Sequence, residues 1–266
     1  MSTKAKETHA SRFTGRGDPQ ATLTLLWGLP RDARPGRKPG LTPALIGAEA
    51  MALADAQGLQ ALTMRALGER LGVSAMSLYR YVPGKPELLD LIVELAHAEL
   101  PHELPQGRWE AQLQRVAHDA WALYQRHPWM LEVSAYRASL GPHSIRKYER
   151  ELGALEGAGL ADLDRDMVVA ALSDLVRGAA RNAVDARTAG QATGESEAQW
   201  WARHAGLLQP LVDPAVFPLA VRIGAKAGAE YGGTTDPARS FAFGLARLIE
   251  GVRVYAAAVA NGDESA

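Results

Sequence analysis

The stretch Thr63–Lys85, TMRALGERLGVSAMSLYRYVPGK, constrains this chain more than any other. Thr63 is placed to cap a short helix whose Leu67 and Leu71 fall on one face. Gly72 follows where that helix must end and turn, and glycine enters the left-handed region without a Cβ clash. Ser74 is placed to cap a second short helix, expected over Ala75–Tyr81, and Pro83-Gly84 stops it. Two short helices around a glycine turn, the second rich in hydroxyl, aromatic and basic groups, are how a helix-turn-helix meets the DNA major groove. The same pattern also occurs in helical proteins that never touch DNA, so the rest of the chain must weigh in.

Strand signals are nearly absent, while Ala, Leu, Arg and Glu recur at helical spacing, so an all-α protein is expected. At 266 residues and 47% hydrophobic the chain has ample material for a buried core. A net charge of −1 puts any DNA affinity in local patches. Residues 1–40 supply one, with eight Lys and Arg against three Asp and Glu. Zero cysteines exclude disulfides, Cys-ligated zinc and thiol catalysis, and fit a reducing cytoplasm. No apolar run of membrane-spanning length occurs, and the N-terminal sequence lacks the order of a signal peptide. A cytoplasmic location and no membrane partner are expected.

Three regions are expected. Residues 1–40 read as a flexible basic extension, with a short apolar segment, Leu23–Trp27, too apolar to float free. Residues 41–100 read as a three-helix DNA-binding domain with a connecting helix. Its first helix has Thr42 as cap, Pro43 at the first position, a stripe of Ile46, Ala50, Leu53 and Ala54, and Gly58 at its end. The connecting helix carries Leu88, Leu89, Ile92, Leu95 and Ala96 at a 3.6 period. Residues 101–262 read as long helices near 109–126, 128–139, 142–158, 162–187, 195–207, 214–226 and 236–260.

On the short helix, Ser74, Ala75, Ser77, Tyr79, Arg80 and Tyr81 are expected to be exposed. Serine hydroxyls pair with base edges or phosphates. Arg80 forks onto guanine or clamps a phosphate, and Ala75 and Met76 suit a thymine methyl. Leu78 points inward. Arg65 reaches from the flank, while Thr63, Tyr79 and Lys85 suit phosphates. Gly68 inside a helix costs about 1 kcal/mol relative to alanine. Close packing of the two short helices is the expected compensation.

These motifs carry a family resemblance. LTMRALGERLGVSAMSLYRYVPGKPELLD resembles the DNA-binding segment of the tetracycline-repressor family, in register from the Leu-Gly-Val turn to Leu88-Leu89-Asp90. His127-Pro128-Trp129, Leu140-Gly141-Pro142 and Gly157-Ala158-Gly159-Leu160 resemble that family's C-terminal domain. Phe241–Gly251 resembles its terminal dimerisation helix. The resemblance covers roughly 41–260. It implies DNA contacts from Arg65, Ala75, Met76, Ser77, Tyr79, Arg80 and Tyr81, and phosphate contacts from Thr63 and Lys85. Ser74 and Ala75 are smaller than the groups often found there, which implies a different operator from that of the tetracycline repressors.

The resemblance also implies a homodimer, a double-stranded operator and a C-terminal inducer pocket. Phe241, Leu245, Leu248 and Val252 are expected at the dimer face, with the chain's own core as the alternative for that stripe. Trp121, Tyr124, His127, Met130 and Tyr136, with Asp174, Arg177 and Asn182, are the pocket candidates. Asp174 and Arg177, three apart, also suit a local ion pair. Where tetracycline repressors place a magnesium-linked histidine, this chain has Val133-Ser134. The expected inducer is therefore largely apolar or aromatic, with no metal and no cofactor. An enzyme is not expected, since no GxxxxGK, GxGxxG after a strand or GxSxG elbow appears. The expected function is a ligand-responsive repressor; a DNA-binding activator or co-regulator without an inducer is the alternative.

Overall fold

A computed structural model describes residues 13–29, 40–134 and 136–261. Their regular structure is helical, and the one isolated β-bridge among them joins Phe13 to Ser134. In chain order the α-helices are α1 (Pro19–Leu26), α2 (Pro43–Gln57), α3 (Met64–Leu71), α4 (Ala75–Leu78), α5 (Lys85–Ala98) and α6 (Trp109–Arg126). Then come α7 (Pro142–Gly153), α8 (Asp162–Thr193), α9 (Glu197–Leu208), α10 (Pro218–Tyr231) and α11 (Pro237–Ala260). Leu59–Ala61 and Pro128–Leu131 are 3₁₀ turns.

Local chemistry sets the first helices. Thr42 caps α2 by accepting from the Leu45 N–H at 3.1 Å, and Pro43 opens the helix with no amide to satisfy. Ile46, Ala50, Leu53 and Ala54 are buried. The helix ends at Gly58, with φ 78°. Thr63 caps α3 by accepting from the Ala66 N–H at 3.1 Å. Gly72 closes that helix in the left-handed conformation, with φ 64°. Gly68 explains itself by close approach: a Cβ there would lie 2.7 Å from the Val73 carbonyl oxygen. Ser74 caps α4 through the Ser77 N–H at 3.3 Å.

The chain forms two compact units, Met1–Ala170 with Tyr255–Ala266, and Ala171–Val254. The first continues through α6 and α7, past the expected boundary near residue 100. Its core gathers Leu53, Leu67, Leu78, Tyr81 and Val82 of the helix-turn-helix with Leu88 and Ile92 of α5 and Leu123 and Trp129 farther on.

Several expectations change. The Leu23–Trp27 segment of the 1–40 extension docks as its apolar character implies, and the chain just before it, read as flexible, is tied down too. Leu25 and Leu26 of α1 join the core, the Trp27 indole donates to the Leu140 carbonyl at 2.9 Å, and Thr14 donates to the Arg137 carbonyl. Residues 1–12 and the linker at 30–39 lie outside the described residues. The helix expected at 128–139 is instead the short turn Pro128–Leu131 and irregular chain. Helix α7 stops at Gly153 rather than near 158, α8 runs to Thr193, and α10 starts at Pro218 rather than near 214. Proline sets the α7 and α10 starts, since it fits the first turn without an unsatisfied N–H.

Candidate nucleic-acid interface

Two short helices and their caps build the candidate reading head. Leu67 and Leu78 are fully buried beneath it, which fixes α3 and α4 against the core. Helix α4 is regular only over Ala75–Leu78. The chain then turns, with the Tyr81 N–H on the Leu78 carbonyl at 2.9 Å. Outside stand Arg65, Met76, Tyr79 and Arg80. Met76 is 75% exposed, the most exposed apolar side chain of the head. Arg65 pairs with Glu69 at 2.9 Å in an exposed ion pair.

The serines do double duty. Ser74 and Ser77 hydroxyls lie 2.9 Å apart, and Ser74 also holds the α4 amide. Ser74 is exposed, Ser77 and Ala75 are half-buried, and Thr63 is exposed at its cap. Lys85 opens α5 half-buried, and that burial lowers its ammonium below the usual lysine range.

Tyr81 is the correction. It was expected on the exposed face but is only 3% exposed and joins the core. Because α4 unwinds after Leu78, Tyr81 does not stay on the helical face that carries Ser77 and Arg80.

The pocket candidates divide between the two compact units. Trp121, Tyr124, His127, Met130 and Tyr136 lie in the first compact unit, and Asp174, Arg177 and Asn182 in the second. Trp121 and Tyr124 are half-buried on α6, and Met130 is part of the core. Tyr136 is 92% exposed, because its segment is irregular chain instead of the expected helix. Asp174 and Asn182 are exposed on α8 and Arg177 is half-buried.

His127 has a structural setting that sequence reading missed. Its Nδ1 is 2.7 Å from Asp55 Oδ1 and its Nε2 is 3.1 Å from Glu99 Oε2. Trp129 donates its indole N–H to the same Asp55 oxygen at 2.7 Å, and Arg126 pairs with Glu99 at 3.1 Å. This cluster joins the end of α2 to the turn after α6. Asp55 and Glu99 end their helices with no sequence pattern to mark them.

The dimer candidates also change place. Phe241, Leu245 and Val252 are buried within the single chain, and Leu248 is half-buried. Their spacing of four and seven puts them on one inward face of α11. The opposite face leaves Phe243 and Val254 exposed, at 66% and 62%.

A capped helix-turn-helix with an exposed Arg, Met and Tyr face defines a DNA-binding regulator of the helix-turn-helix class. Residues 46–92 match the family model for bacterial regulatory proteins of the tetR family. Residues 100–256 match the tetracyclin repressor-like C-terminal domain. The HTH-type transcriptional repressor DrrR1 of Streptomyces coeruleorubidus is 36% identical over 250 residues, covering 93% of this chain and 90% of that protein. Apo ActR of Streptomyces coelicolor superposes with a TM-score of 0.69 at 26% identity, covering 84% of this chain and 99% of that one. ActR in complex with actinorhodin gives 0.68 at 27%, covering 81% and 96%. The chain belongs to the tetracycline-repressor family and is a helix-turn-helix transcriptional repressor of that family. No helix among the described residues is long and apolar enough to cross a membrane.

Proposed function

We propose that the protein binds a palindromic double-stranded operator as a homodimer and is released by a small-molecule inducer. The observation that carries this reading is the exposed set Arg65, Met76, Tyr79 and Arg80, held on short capped helices over buried Leu67 and Leu78. Thr63, Ser74, Ala75, Ser77 and Lys85 flank it as phosphate and base contacts. Tyr81 supports the head from within.

The exposed Phe243 and Val254 on α11 support a second copy of the chain as partner, since a monomer gains nothing from leaving such groups in water. Two-fold symmetry then sets two heads at successive major grooves, about 34 Å apart. Actinorhodin bound to the ActR neighbour supports a small-molecule inducer. Half-buried Trp121 and Tyr124 favour an apolar or aromatic one. The His127–Asp55 and Trp129–Asp55 hydrogen bonds supply a route to the head, because any movement of the turn after α6 pulls on α2. By linkage, operator binding weakens inducer affinity by the factor with which inducer weakens operator binding.

Selection of bound duplexes from a random pool tests this. The expected result is a palindrome with half-sites one helical turn apart, whose recovery Arg80→Ala relaxes at one base position. No enrichment by folded protein, or a single asymmetric site bound by monomer, overturns it.

A further inference from the structure

Helix α5 leaves the reading head at Lys85 and carries a stripe of buried acids, Glu87, Asp90 and Glu94. Their spacing of three and four puts them on one face of the helix. Each accepts from backbone N–H groups of another segment. At the far end, Glu94 takes the His143 N–H and, at 3.1 Å, the Ser144 N–H of α7. At the head end, Asp90 takes the Gly15 N–H at 3.0 Å and Glu87 takes the Asp18 N–H at 3.2 Å. Two glycines make the close approach possible. A Cβ on Gly17 would overlap the Glu87 carboxylate, and one on Gly141 would overlap that of Glu94.

The segment seated on Glu87 and Asp90 is also fastened elsewhere. Thr14 donates its hydroxyl to the Arg137 carbonyl, Phe13 forms its β-bridge with Ser134, and the Trp27 indole donates to the Leu140 carbonyl at 2.9 Å. Residues 13–29 therefore run between the first turns of α5 and the chain that leads into α7. Leu25 and Leu26 bury against the core, but burial alone is non-directional. Hydrogen bonds to a charged acceptor are directional and stronger than neutral ones, so they fix position. A helix pinned at one point can pivot. Glu94 is one pin, and Glu87, seven residues and about 10.5 Å along the axis, is a second. Two pins fix an angle.

We propose that residues 13–29 are a positioning strap for the reading head. By tying the head end of α5 to residues 134–140, the strap holds the head at one angle within its compact unit. The inference rests on the dimeric operator reading above, in which two heads meet two half-sites at a set separation. Glu87 and Asp90 act as positioning residues: they lie under backbone and touch no DNA themselves. Loss of the strap leaves the head folded, since Leu67 and Leu78 pack inside it, and frees its angle.

The test cuts each end of the strap in full-length protein. Thr14→Val with Trp27→Phe removes the donors to residues 137 and 140 and keeps most of the side-chain bulk. Gly17→Val forces the strap off Glu87. Neither variant changes a charge, so lost phosphate contacts cannot imitate the effect. The DNA is the palindrome that the wild type selects, with copies whose half-sites sit one base pair closer or farther, a twist of about 34° each. The wild type is expected to lose about tenfold or more in affinity on either altered duplex. Each variant is expected to bind the original duplex less tightly and to lose less than about threefold between spacings. The combined cut is expected to match a single cut, because a strap freed at one end holds nothing. Hydrogen exchange without DNA is expected to be faster at residues 13–18 in both variants, and circular dichroism checks that they fold. No palindrome from the wild type overturns the dimeric reading and this role with it. A palindrome whose spacing the folded variants still demand, an equal loss at every spacing, additive losses in the combined cut, or unchanged exchange overturns the strap alone.

Discussion

The two compact units close their surfaces in opposite ways. Beneath the reading head the helices close over a shared core, and charge is buried with it: Glu87, Asp90 and Glu94 all lie under cover on α5. Backbone amides hold them. Glu94 takes the His143 N–H, with the Ser144 N–H at 3.1 Å and the Ser144 hydroxyl at 2.7 Å, at the start of α7. In Ala171–Val254 the reverse holds. Leu207, Leu211, Phe217, Leu219, Ile223 and Phe243 are exposed. One region gathers its helices on a continuous core; the other leaves a run of apolar side chains exposed on the single chain, the surface that the proposed second copy would cover.

That contrast breaks most directly by cutting each region once. Leu67→Ala removes a fully buried side chain under the head, and the expected loss is about 2–5 kcal/mol of unfolding free energy in urea. A loss below about 1 kcal/mol would mean that the head is not the sealed unit described. Phe243→Glu makes the opposite cut. It is expected to leave the urea midpoint of dilute protein little changed while weakening dimer association by about 2–4 kcal/mol in sedimentation. A variant that stays dimeric places the partner surface elsewhere.

The same contrast explains what the sequence disclosed. The helix-turn-helix was legible because each of its signals is local: Thr42, Thr63 and Ser74 cap within three residues, and Gly58 and Gly72 end helices at the next turn. Even Gly68 was legible, since its neighbour across the turn is only five residues away. Long-range placement was not. Tyr81 sits inside because α4 unwinds, which depends on how the chain enters α5. Phe241, Leu245 and Val252 have a pattern that suits a dimer face and an internal face equally, and only the packing of α11 separates the two. Residues 128–139 carry apolar groups at helical spacing, yet Trp129, Met130 and Leu131 are buried on a 3₁₀ turn and the chain then runs irregularly past the N-terminal segment. The tethering of residues 13–18 rests on acceptors about 70 to 120 positions away, at Glu87, Asp90 and the Arg137 carbonyl.

Asp90→Asn sharpens the buried-charge half of the comparison. The folded state holds the Asp90 proton up to about 6, against an ordinary value of 3.8. A raised carboxyl means the folded protein binds the proton more tightly than the unfolded chain. The contribution of Asp90 to stability is therefore greatest below pH 4, falls as pH rises toward 6, and stays low above it. The variant keeps an acceptor for Gly15 and carries no charge. It is expected to be more stable than the wild type at pH 7.5, by on the order of 1–3 kcal/mol, with the gain shrinking to nothing near pH 4. Parallel urea titrations across that range check it. A destabilised variant at neutral pH would show that the carboxylate is paired in solution and that burial does not penalise it.

The smallest effect decides whether the head's surface is structural or functional. Arg65 and Glu69 form an exposed i,i+4 pair at 2.9 Å, worth about 0.3–0.5 kcal/mol on a helix at most and screened by salt. Glu69→Ala and Arg65→Ala should therefore cost the same small amount of stability. They should part company on DNA. Removing Glu69 leaves Arg65 available, so operator affinity holds or rises slightly. Removing Arg65 weakens binding across all sequences if it meets a phosphate, and lowers the slope of log affinity against log salt by about one. If it meets a base, discrimination is lost at one position and the slope holds. Equal DNA binding by both variants would make the pair an ordinary surface contact and move the reading surface toward Met76, Tyr79 and Arg80.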